Sequence, residues 1–86
     1  MEYIQGAEAL LPRVSSVEVR RDYFLMLSFR NGEKRLFDAS ELMKLPVYKQ
    51  AAEHFSLARV EYGTVVWPGD VDISPETLYL KSIPVR

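Results

Sequence analysis

The carboxylates that could form a functional site are four of the twelve acidic residues: Asp38, Asp70, Asp72 and Glu76. Asp70, Asp72 and Ser74 alternate in the sequence as the first oxygen ligands of a calcium-binding loop do. Such a loop also needs a glycine at its sixth position and a glutamate at its twelfth, and these positions hold Pro75 and Lys81. The pattern therefore predicts helix-capping or solvated acids, and neither a metal nor another cofactor is expected.

Other catalytic groups are scarce in this chain. It has no cysteine and a single histidine, His54, which excludes thiol nucleophiles, thiolate zinc sites and paired imidazoles. The four glycines occur in no G-x-S-x-G nucleophile motif and in no phosphate-binding glycine loop. We therefore expect a protein that is not an enzyme.

Two aromatic residues, Trp67 and Tyr79, could stack against a ligand. Asp70 and Asp72 lie close to them in the sequence and could add polar contacts. Because large aromatic side chains dominate the cores of small proteins, a structural role is the favoured interpretation of both rings. A small-ligand or metal-binding domain at these four residues remains the alternative hypothesis for function.

The charges are nearly balanced, with 11 Lys and Arg against 12 Asp and Glu and a net charge of −1. Nucleic-acid-binding domains usually carry a basic excess or a basic face, whereas residues 60–80 contain four acids and no base. No apolar run approaches the ~20 residues that cross a bilayer, and no basic segment precedes the first apolar residues as in a secretory signal. We expect a cytoplasmic protein that binds neither nucleic acid nor membrane directly.

The distribution of polar and apolar residues predicts a short arm followed by one domain. Residues 1–13 are expected to form an N-terminal arm and residues 14–86 a single α+β domain. Short alternating segments predict three strands, a helix, two strands and a final helix. We expect a small two-layer sandwich in which the helices cover one face of a mainly antiparallel sheet.

Turn and capping residues set the expected register and the helix starts. Asn31-Gly32 predicts a two-residue hairpin turn, which places Met26 opposite Phe37. Asp38 is expected to cap a short helix. Ser74 followed by Pro75 predicts the start of the last helix.

This register gives the sheet a second apolar face. Phe24, Met26 and Phe37 fall on the side opposite the predicted core, where a sheet packed on one face should be polar. Such a patch marks an interaction surface unless part of the same chain covers it. The cover could be the N-terminal arm, through Ile4, Leu10 and Leu11, or a second chain, and both alternatives stay open.

The motifs around these elements resemble a known bacterial family. Phe29-Arg30-Asn31-Gly32, then Asp38, then the segment 67–79, which reads W-P-G-D-V-D-I-S-P-E-T-L-Y, are similar to the domain-of-unknown-function family 2442. The resemblance spans about residues 14–80, although here Gly69 follows Pro68 directly, whereas one residue usually separates them. It implies a compact domain without an established activity. Some relatives look fused to a helix-turn-helix domain or encoded beside a second small domain, which implies a protein partner.

These observations lead to one functional hypothesis and one alternative. The first is a non-catalytic protein-interaction module that forms a homodimer or binds an antitoxin-like or regulatory partner through Phe24, Met26 and Phe37. The alternative is a small-ligand or metal-binding domain near Trp67 and Tyr79.

Overall fold

The structure is a computed structural model that describes residues 11–85. Its strands and helices, in chain order, are β1 (Val14–Arg20), β2 (Phe24–Phe29), β3 (Lys34–Asp38), α1 (Lys49–Glu53), β4 (Arg59–Glu61), β5 (Thr64–Trp67), β6 (Val71–Ile73), α2 (Pro75–Leu80) and β7 (Ile83–Val85). Short 3-10 turns occupy Arg21–Tyr23, Leu42–Lys44, Pro46–Tyr48 and Phe55–Leu57.

The strands form two antiparallel sheets, one of four strands in the order β1-β2-β3-β7 and one of three in the order β4-β5-β6. The α+β class is confirmed, but the expectation of one sheet is wrong. Alternation in the sequence shows that a segment is a strand and does not show which distant strand it joins. Strand β7 escaped prediction because Pro84, which has no N–H to donate, lies in its middle.

The first hairpin follows the sequence closely. Arg20 pairs with Phe24 across the three-residue connection Arg21–Tyr23. This odd-numbered loop places Val17 opposite Leu27 and Val19 opposite Leu25, so the two valines lie against the core.

The second hairpin differs from its predicted register by one residue. The Phe29 N–H donates to the Glu33 carbonyl over 2.9 Å, which leaves three loop residues instead of two. Gly32 alone in this loop has a positive φ, at 93°, as in a type I turn that ends in a bulge. Phe37 consequently lies opposite Leu25, on the core side of the sheet. Because side chains alternate between faces, this single-residue shift moved every β3 side chain to the face opposite the predicted one.

The core joins both sheets. Its largest fully buried side chain is Trp67 of β5, which packs with residues from both sheets and both helices in one continuous cluster. A backbone bond from the Val14 N–H to the Gly63 carbonyl, 2.9 Å long, connects the first strand of one sheet to the β4–β5 turn of the other. The four-stranded sheet therefore has one face on the core and one face directed away from it.

The predicted helix starts have different outcomes. Ser74 caps α2 as expected, because its hydroxyl accepts the Thr77 N–H over 3.2 Å. Asp38 accepts the backbone N–H and the hydroxyl of Ser40, but only a 3-10 turn follows it. These bonds to Ser40 lower the pKa of the Asp38 carboxyl below its ordinary value.

Candidate interaction surface

We call the outer face the set of side chains on the four-stranded sheet that point away from the core. Its apolar members are Phe24, Met26, Leu36, Ile83 and Val85. Met26, Leu36 and Ile83 are cross-strand neighbours on β2, β3 and β7 and form a continuous apolar row. Ile83 is 68% exposed, and Phe24, Met26 and Leu36 are half-buried.

Phe37 does not belong to this surface, so its prediction as an interface residue is corrected. It is only 3% exposed and is part of the core cluster. The cause is the three-residue loop at Asn31-Gly32. Compared with the two-residue turn that the sequence favoured, it shifts the pairing of β3 with β2 by one residue. Leu36 takes the outer position instead, opposite Met26.

Charged residues of both signs border the apolar row. Arg20 on β1 and Asp38 on β3 lie on either side of Phe24, in one cross-strand row. Glu18 and Lys34 occupy the neighbouring rows on the same two strands. The outer face thus has an apolar centre and a rim with two acids and two bases, the arrangement that protein interfaces typically show.

The other predicted site residues do not come together. Trp67 is fully buried, donates its indole Nε1–H to the Phe55 carbonyl over 3.1 Å and packs on the Phe55 ring at 5.5 Å. Asp70 and Asp72 are exposed, on the β5–β6 turn and on β6. Tyr79 packs against the four-stranded sheet. Within residues 11–85 no three His, Cys, Asp or Glu side chains lie close enough to hold a metal ion.

Tyr79 belongs instead to a polar network that the sequence did not reveal, which we call the Arg35 network: Glu33, Arg35, Tyr79 and Ser82. The Tyr79 hydroxyl donates to Glu33 over 2.8 Å, and Arg35 donates to Glu33 and, twice, to Ser82, each bond 2.8 Å long. The Arg35 guanidinium also lies 4.3 Å from the centre of the Tyr79 ring.

The electrostatics of the Arg35 network follow from these bonds. The hydrogen bond from Tyr79, and then the one from Arg35, lower the pKa of Glu33 below its ordinary value. The same bond to Glu33 raises the pKa of Tyr79. The network holds the C-terminal segment against the second hairpin. The sequence does not reveal this network, because the shifted register places Arg35 opposite Leu27 on the core face.

A separate cleft of about 430 Å³ lies beside the first hairpin. Met43, Pro46 and Ala52 line it, with Lys44 and Lys49 among its polar groups. Tyr23 also lines the cleft and packs edge-on against Phe55 at 5.0 Å. Tyr23 and its neighbour Asp22 have φ angles of 66° and 62°, a conformation that non-glycine residues adopt at a cost of about 1–3 kcal/mol each.

These features define a small α+β domain of two antiparallel sheets with an apolar face directed away from the core. Among the described residues no helix is long and apolar enough to cross a membrane. The chain belongs to the family described as "Protein of unknown function (DUF2442)", whose model matches residues 14–84. The family resemblance of the sequence is thereby confirmed. Neither a curated protein nor a solved structure matches the chain.

Proposed function

We propose that this chain is a non-catalytic protein-interaction module of a bacterial cytoplasm and that the outer face is its binding surface. The observation that carries this proposal is the apolar row of Met26, Leu36 and Ile83 on the sheet face opposite the core. Antiparallel sheets that face water on one side normally alternate apolar and polar residues, so the second face should be polar.

The composition of the outer face supports binding to a protein. Full burial of one large aliphatic or aromatic side chain is worth about 1.5–3 kcal/mol relative to exposure. Phe24, Met26 and Leu36 are only half-buried, so part of this gain remains available when a partner covers the centre of the outer face. The charged rim of Glu18, Arg20 and Asp38 would restrict which partner fits, because mispaired charges at an interface are costly.

The test is a photocrosslink from the outer face. A photoreactive phenylalanine analogue replaces Ser28, which lies on the outer face between Ser16 and Lys34. The matched control carries the analogue at Ser56, an exposed residue of the Phe55–Leu57 turn. Both chains are expressed in the cells from which the gene comes, irradiated, and their adducts identified by mass spectrometry.

The proposal predicts an adduct with one defined protein, whether another copy of this chain or a different protein. The adduct should form from position 28 and not from position 56, and Met26→Asp should abolish it while the far-ultraviolet circular dichroism stays unchanged. Adducts only with residues 1–13 of the same chain would show that the arm covers the outer face and would overturn the proposal. Ile4 and Leu10 of that arm lie outside the described residues.

Small-ligand binding is the second candidate function, and the cleft at Tyr23 favours it more than the Trp67 group does. Its volume of about 430 Å³ is within the usual range for small-molecule sites. The cleft has apolar walls and two lysines, Lys44 and Lys49, against one glutamate, Glu53, which suits a compound with an apolar ring and an acidic group. Benzoate should shift the Met43 methyl resonance more than benzyl alcohol does, and Lys49→Gln should remove that difference. Equal shifts with both probes would dismiss this candidate.

A further inference from the structure

We infer that the outer face binds a second copy of this chain, related to the first by a two-fold axis that runs parallel to β2 between the two sheets. This inference rests on the proposed function and specifies its partner. It follows from how the charged and apolar residues are arranged on the three strands around that axis.

The cross-strand pairs define three rows on the outer face. The first row is Arg20, Phe24 and Asp38; the second is Glu18, Met26, Leu36 and Ile83; the third is Ser16, Ser28, Lys34 and Val85. Neighbouring strands lie about 4.8 Å apart, and same-face residues along a strand lie about 6.8 Å apart. The two rim strands, β1 and β3, therefore lie symmetrically on either side of β2.

A two-fold axis along β2 places β1 of each copy over β3 of the other. Arg20 of one copy then faces Asp38 of the second copy, and the symmetry repeats the pair. Lys34 of the second copy lies over Ser16 and one row from Glu18, within reach of a flexible side chain. Arg20 and Asp38 thus face each other directly, and Lys34 reaches diagonally to Glu18, which itself lies over Leu36 of the second copy. Phe24 and Met26 lie near the axis and pack on their own counterparts.

The charges are available for these pairs. Arg20 contacts Glu18 over 3.4 Å, but both side chains are largely exposed, and such surface ion pairs contribute little to stability. Asp38 is already held in place by Ser40, whose backbone N–H and hydroxyl donate to the carboxylate and lower the pKa of Asp38. The rim therefore presents Asp38 as a fixed anion and Arg20 as a movable cation.

The second copy is expected on the face of the sheet and not on its edge. Pro84 lies in the middle of the edge strand β7 and lacks the N–H that a further strand would need there. The overlap is small: an axis along β2 stacks only β1, β2 and β3 of the two copies and leaves β7 outside, so three strands up to about 20 Å long present roughly 300 Å² of flat surface. A standard interface covers about 800 Å² per partner, so we expect a weak dimer with a dissociation constant in the micromolar range or above.

A charge-swap experiment on the full chain tests the geometry. Sedimentation velocity at about 10 µM to 1 mM brackets the affinity expected of so small an interface. Arg20→Glu and Asp38→Lys, each measured alone, should weaken dimerisation about tenfold or more, because each variant places two like-charge pairs across the axis. An equimolar mixture of the two variants should regain the affinity of the parent, because both pairs are again of opposite sign.

Two outcomes overturn the inference: a parent that stays monomeric over the whole range, or a mixture that dimerises no better than its components. Asp38→Lys also removes the bonds to Ser40, so Ser40→Ala, which leaves the charge intact, is the matched control and should dimerise like the parent. If Asp38→Lys does not fold, Glu18→Lys mixed with Lys34→Glu tests the same axis.

The two proposals can fail separately. A position-28 adduct with a different protein, together with a monomeric parent, would refute the second copy and leave the interaction function intact. Adducts confined to residues 1–13 of the same chain would refute both.

Discussion

The outer face and the Arg35 network lie on opposite sides of the same four-stranded sheet. They differ in whether their side chains find contact partners within the chain. In the Arg35 network every polar group has a described partner: Glu33 accepts from Tyr79 and Arg35, and Arg35 also bonds Ser82. On the outer face the apolar row centred on Met26 lies outside the core cluster. Polar groups that are fully hydrogen-bonded within the chain have a structural role, whereas apolar surface left outside the core is where we propose that a partner binds.

The largest expected effect on the free energy of unfolding comes from replacing one phenylalanine on each side of the sheet. Phe37→Ala should lower the free energy of unfolding by about 3–5 kcal/mol, because it leaves a cavity in the core. Phe24→Ala, at an outer position, should cost about 1 kcal/mol. Urea denaturation of both variants measures the difference. Similar costs would mean that Phe24 is as buried as Phe37 and that the outer face is not a free surface.

A smaller effect is expected when Arg35 is removed from its network and compared with a surface ion pair on the three-stranded sheet. Arg35→Ala should cost about 2 kcal/mol, because the arginine is 13% exposed at its side chain and its loss removes one donor to Glu33 and two donors to Ser82. The matched control is Arg59→Ala, whose ion pair with Glu61 is short, at 2.7 Å, but largely solvated. The control should change the unfolding free energy by about 0.5 kcal/mol or less. A control as costly as Arg35→Ala would remove the distinction between a network and a surface pair.

The features that the sequence predicts correctly are those that depend on residues close together in the chain. The capping of α2 by Ser74 depends on residues close in the chain, and the structure has it. The family assignment depends on the contiguous block 67–79 and was also confirmed. The face on which Phe37 lies depends on whether the hairpin loop has two or three residues. Asn31-Gly32 fits both a two-residue turn and a three-residue loop with a bulge.

The missed features are the ones that join distant parts of the chain. Tyr79 and Glu33 are hydrogen-bonded across a separation of 46 residues, and nothing in either local sequence marks the other as its partner. The second sheet was missed for the same reason, because β4–β6 and β1–β3 have equally strand-like patterns. Conversely, a two-residue turn with positive φ at both positions does occur in this chain, at Tyr62-Gly63, where no Asn-Gly marks it.

The smallest expected effect is on the pH dependence of stability, and it separates the Arg35 network from the rest of the surface. The pKa of Glu33 is lowered in the folded chain, first by the Tyr79 hydroxyl and then by Arg35. An acid whose folded pKa is depressed stabilises the fold above its ordinary pKa, and this contribution disappears as the pH falls through the folded value. Glu33→Gln should therefore flatten the loss of thermal stability on acidification. Asp38, which also has a lowered pKa, should keep part of that loss in place.

The matched control is Glu53→Gln, an exposed carboxylate on α1 that lies away from the Arg35 network. Its melting temperature should follow that of the parent at every pH between about 2 and 7, the interval in which carboxyl groups titrate. If Glu33→Gln also follows the parent, the bonds of Tyr79 and Arg35 do not favour the ionised carboxylate in solution. The network would then be as solvated as the rim of the outer face, and the contrast between the two sides of the sheet would rest on their apolar residues alone.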